Sequence, residues 1–137
     1  MEPKPPDVIV LGREWPERAL LRAQLIEEGY EVVAVDEWPI PRPYRRPGMK
    51  PRALLIDLHE MPKPRETLDE VRFVLPVERV LVITSLGSVT ADEVKRLGFR
   101  VLERPVSIRE IISAIGALIS RTPPEGNRNG TTSARTE

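Results

Sequence analysis

The sequence predicts a three-layer α/β sandwich around a five-stranded parallel sheet, and three observations carry that reading. Five short apolar runs recur along the chain, several apolar at consecutive positions, as strands covered on both faces are. Segments of helical period separate most of them. The connections are short, so each crossover should be right-handed and lay its helix on one face of the sheet.

The runs are DVIVLG (residues 7–12), YEVVAV (30–35), ALLID (53–57), RVLVITS (79–85) and FRVLE (99–103). Between the first two lies PERALLRAQLIEEG, with Pro16 suited to a first helical turn, Leu20, Leu21 and Leu25 within one arc, and Gly29 past the end. In ETLDEVRFVLP, Leu68, Val71 and Leu75 fall on one helical face that Pro76 closes. TADEVKRLG opens with a capping box from Thr90 to Glu93 and ends at Gly98. SIREIISAIGALIS opens with a second box, Ser107 to Glu110, and aligns Ile108, Ile111, Ile112, Ile115, Leu118 and Ile119 along a stripe. One interval breaks the alternation. Between the second and third runs, prolines at 39, 41, 43, 47 and 51 remove amide donors, so an extended or polyproline-like loop is expected in place of a helix.

A chain of 137 residues, 40% hydrophobic, suffices for one domain with a substantial core. Residues 7–120 should form it, with a polar extension over residues 1–6. Residues 121–137 lack an apolar anchor and are expected to be disordered. The 21 Lys and Arg balance 21 Asp and Glu, so no net field draws the chain to nucleic acid or to an anionic membrane. With no cysteine, disulfides and thiolate metal sites are excluded. No apolar run approaches the roughly 20 residues of a membrane span, and a soluble, cytoplasmic domain is expected.

Asp57 ends a buried run, and in open parallel sheets ligands bind beyond the carboxyl ends of the strands. Thr84 closes VLVIT and Arg104 follows RVLE just before Pro105, so both strand ends point to the same place. On Asp57, Thr84 and Arg104-Pro105, together with the spacing of LIEEGYEV, the chain from about Asp7 to Ser120 resembles a response-regulator receiver domain of two-component signalling. The resemblance implies a flavodoxin-like strand order 2-1-3-4-5. It also implies that Asp57 stands at the phosphoacceptor position, Thr84 at that of the phosphate-sensing hydroxyl, and Arg104 at that of a lysine that neutralises the phosphate.

Departures from the family qualify that role. Two adjacent acids that help to bind Mg²⁺ in receivers are replaced by Gly12 and Arg13, and a guanidinium donates no ligand oxygen. No metal or other cofactor is therefore expected, unless Glu14 supplies a makeshift ligand and Asp57 is phosphorylated after all. Restoring Asp at both Gly12 and Arg13 should recreate a metal site. The loop from Asp57 to Pro62 is one residue longer than usual, Arg104 offers a planar fork instead of an ammonium, and Val101 stands where the family has a switch aromatic. Without phosphate, Asp57 should instead form a fixed ion pair with Arg13 or Arg104.

A degenerate receiver acting as a protein-interaction module is the leading expectation. A working phosphoacceptor and a small α/β ligand-binding domain are the alternatives. The resemblance implies a protein partner such as a sensor kinase or an output protein. Trp38, Arg42, Tyr44, Arg45 and Arg46 of the proline-rich loop are candidate contacts, since a proline-stiffened segment loses little entropy on binding. Trp15 is a further candidate anchor, and mixed charge at Lys95, Arg96, Arg100, Arg109 and Glu110 permits a homodimer. His59, without a second His or Cys nearby in sequence, is given no role. The chain has no Gly-rich phosphate loop, nucleophile elbow or paired metal-binding histidines, so no enzyme activity is expected.

Overall fold

The computed structural model describes residues 4–13 and 16–121. Glu14, Trp15 and most of the expected tail, residues 122–137, lie outside the described residues. Five strands, β1 (Val8–Leu11), β2 (Val32–Val35), β3 (Ala53–Asp57), β4 (Val80–Thr84) and β5 (Arg100–Glu103), alternate with α1 (Pro16–Glu27), α2 (Pro64–Val74), α3 (Ala91–Arg96) and α4 (Ile108–Arg121). All strand pairs are parallel, and the order is β2-β1-β3-β4-β5. That is the expected sheet.

Alternation along the strands sorts the core into two layers. Val8, Val10, Leu55, Leu81 and Ile83 point to one face, where Leu21 and Leu25 of α1 and Ile111, Ile115, Leu118 and Ile119 of α4 cover them. Ile9, Leu11, Leu54, Ile56 and Val82 point to the other, against Leu68 and Val71 of α2 and Val94 of α3. Both capping boxes form. Glu93 N–H donates to Thr90 Oγ1 at 3.2 Å and Thr90 N–H to Glu93 Oε1 at 3.0 Å, while Ser107 and Glu110 make the same exchange at 2.8 and 3.0 Å.

Two expectations need correction. Leu20 is 51% exposed, so the buried arc of α1 is Leu21 and Leu25; adjacent residues sit about 100° apart on a helix, and Leu20 falls on the solvent side. The proline-rich loop is not wholly extended, because a 3-10 turn spans Arg42–Arg45. Proline lacks an amide hydrogen but keeps its carbonyl, and those of Pro41 and Pro43 accept from the N–H groups of Tyr44 (3.0 Å) and Arg46 (3.4 Å). This loop fills the place of a helix on the second face, with Ile40 fully buried among the β1 and β3 side chains and Trp38 and Tyr44 packed against the same cluster.

Candidate functional site

The parallel sheet brings the carboxyl ends of β1, β3, β4 and β5 to one edge, and the sequence-selected residues meet there. Asp57 ends β3 with 1% of its surface exposed. Burying a carboxylate is costly unless it is paired and hydrogen-bonded, and here it is both. Arg104, just past β5, donates from Nη1 to Asp57 Oδ1 (3.0 Å) and from Nη2 to Asp57 Oδ2 (2.7 Å). The His59 amide adds a third donor at 3.0 Å to Oδ1. Such a two-point fork is available to a planar guanidinium and not to an ammonium. Thr84, 6% exposed, ends β4 opposite Glu103. Pro105 follows Arg104 through a cis peptide bond.

Gly12 and Arg13 part company. Gly12, at φ +153°, lies so close to Asp57 that a Cβ added to it would meet Asp57 Cβ at 3.1 Å and its carbonyl oxygen at 3.2 Å. Arg13 is exposed and turns to a second cleft of about 510 Å³ that Asp36, Glu37, Trp38 and Thr67 also line. Arg104, not Arg13, is thus the partner of Asp57. The sequence did not single out Arg18, which reaches back from α1 to donate to the Gly12 carbonyl at 2.7 Å and to Asp36 at 2.8 Å, fixing the turn after β1. Only the fold brings those three residues together.

Among the described residues the donor set does not suit Mg²⁺. That ion needs oxygen ligands in near-octahedral array, whereas both Asp57 oxygens are engaged by a cation and Gly12 contributes no carboxylate. Among the described residues no three acids or histidines cluster to hold a metal. Restoring Asp at positions 12 and 13 is also less simple than the sequence implies, because a side chain at 12 would press on Asp57 from a strained backbone.

Arg104, but not Asp57, borders a cleft of about 950 Å³, the upper range of small-ligand pockets. The β3–α2 loop forms one wall, with Glu60 and Lys63 in left-handed backbone conformations at φ +56° and +50°. Glu60 and Met61 border both clefts. Ser85, Leu86, Gly87 and Ser88 of the β4–α3 loop line the larger one too, and Ser88 Oγ is buried without a hydrogen-bond partner among the described residues. His59 Nδ1 lies 3.4 Å from Ser85 Oγ. Of the loop candidates, Trp38 donates to Glu70 Oε1 at 2.7 Å and Arg45 Nε to the Ile40 carbonyl at 3.1 Å, while Arg42 and Arg46 face solvent.

This edge and sheet define a fold already known. The structure superimposes on a response-regulator receiver protein from Sinorhizobium medicae WSM419 (TM-score 0.63, 18% identity, 82% of this chain and 93% of that one). It likewise matches the receiver domain of a sensor histidine kinase from Pseudomonas aeruginosa PAO1, described with a magnesium ion coordinated in its active-site cleft (TM-score 0.56, 18% identity, 83% and 98%). A structure described as adenylate cyclase from Rhodopirellula baltica covers 93% of both chains at TM-score 0.62 and 18% identity. No protein-family model matches the sequence, and no curated protein is significantly similar to it. The chain has the receiver-domain fold. Among the described residues no helix is long and apolar enough to cross a membrane.

Proposed function

We propose that this chain is a receiver-type signalling module that acts by binding a protein partner, without Mg²⁺-dependent phosphorylation of Asp57. The single observation that carries the reading is the Arg104 fork, which holds both Asp57 oxygens at hydrogen-bond distance. An attacking carboxylate needs free lone pairs, and the fork together with the His59 amide engages three of the roughly four lone-pair sites of Asp57 while tying it to a fixed cation. Thr84 then has no phosphate to sense, and Val101 gives it no ring to move with. Receiver folds serve as signalling domains, which supports the binding reading when the phosphoryl chemistry is lost. The exposed Arg42 and Arg46 of the loop and the mixed charges of α3 and α4 remain surfaces for a partner or a second copy.

The test is direct. Incubation with a small acyl-phosphate donor and millimolar Mg²⁺, followed by intact-mass spectrometry, should leave the wild-type chain unmodified. A stoichiometric phosphoryl adduct on Asp57 would show instead a working phosphoacceptor.

A further inference from the structure

The large cleft joins an apolar floor to an acidic rim. Met61, Val106, Ile108 and Ile111 line it, and Leu86 stands at its edge with its side chain fully exposed. Three formally charged side chains, Glu17, Glu60 and Arg104, share the lining. Arg104 is matched by Asp57 beneath it, so that pair adds no net charge. Glu17 and Glu60 are both exposed, and His59, 3.6 Å from Glu60, is the other titratable group of the lining.

We propose that this cleft docks a basic amphipathic segment of a partner protein. Its Arg or Lys side chains pair with Glu17 and Glu60, and its apolar residues cover Leu86, Val106 and Ile108. The inference deepens the reading of the chain as a binding module and rests on it. Apolar contact supplies the affinity, as in other grooves that take up an amphipathic helix. The acidic rim supplies the selection, since like charge repels acidic segments and opposite charge speeds the encounter with basic ones. The same rim disfavours phosphorylated ligands.

The full chain, labelled on isoleucine methyls, is titrated with a synthetic amphipathic Leu/Lys peptide and with its Leu/Glu counterpart. The basic peptide should shift the Ile108 and Ile111 methyls and the acidic one should not. The double variant Glu17→Lys, Glu60→Lys should bind the basic peptide about tenfold more weakly or worse. Both sites are exposed, so the variant keeps its core. Equal binding of the two peptides, shifts confined to other isoleucines, indifference to charge reversal, or no binding of either peptide would each overturn the proposal. A chain that takes up no phosphoryl group and yet ignores both peptides loses this inference alone; one that accepts phosphate on Asp57 loses the parent reading.

Discussion

Asp57 and Arg104 are unequal partners in their burial, 1% against 30% exposed, and that inequality sets the order of the mutational costs. Removing Arg104 leaves a buried carboxylate with the His59 amide as its remaining partner in the site, whereas removing Asp57 leaves a guanidinium that can swing toward water. Arg104→Ala should therefore destabilise more, about 3 to 5 kcal/mol, than Asp57→Ala, at about 1 to 3 kcal/mol. In the double variant the losses should fall short of their sum, with a coupling that denaturant unfolding of the four proteins measures. A stabilised Asp57→Ala chain would indicate that the carboxylate is repelled there rather than held. The pairing itself was legible in sequence only as a choice between Arg13 and Arg104. Geometry decided it, because the turn after β1, fixed by Arg18, carries Arg13 away to the second cleft.

At the scale of the element, local chemistry was read well wherever it is local. Both capping boxes were visible as Ser or Thr three residues before Glu, and both formed, because such a motif needs no tertiary partner. What the sequence did not show is that the first box is also tied to a second helix. Arg65 at the start of α2 donates to Glu93 Oε2, joining the opening turns of α2 and α3. The Arg65 hydrogen bond, and after it the Thr90 amide, lower the Glu93 carboxyl to about 2. For an acid held below its ordinary value, the stabilisation is present at neutral pH and above the ordinary 4.5, and is lost as pH falls through about 2. Arg65 is exposed and Glu93 partly so, and added salt should therefore weaken the tie. An NMR titration of the Glu93 carboxyl carbon should place its midpoint well below the other glutamates, and Arg65→Ala should move it up toward them. A Glu93 midpoint unchanged by Arg65→Ala would show that the capping box alone holds it.

For the molecule as a whole, the parallel sheet was legible because buried strands leave consecutive apolar runs, and its order followed from the resemblance. The covering of the second face was not, because nothing in WPIPRPYRRPGMKP signals that Ile40 turns inward. A lone isoleucine among prolines and arginines has no periodicity to betray its side. Its complete burial among β1 and β3 side chains makes the loop a part of the core as well as a surface. Ile40→Ala should cost about 2 to 5 kcal/mol, as other buried isoleucine truncations do. Replacing residues 39–51 with a Gly/Ser linker should likewise lower the denaturation midpoint sharply, where a loop made only for recognition would leave it unchanged. Substituting Arg42 and Arg46, which face solvent, should leave the midpoint nearly where it was.

The proline spacing of that loop has a consequence for proteolysis. Arg42, Arg46 and Lys50 are each followed by proline, and trypsin cuts such bonds poorly. Within the loop, Arg45–Arg46 is the susceptible bond, at the end of the 3-10 turn and anchored by the Arg45 contact to the Ile40 carbonyl. A protease needs an extended backbone, so cleavage there must await release of Ile40 from the sheet. Where that opening and reclosing are fast relative to cutting, the nicking rate at this single bond reports the population in which the second face of the sheet stands uncovered.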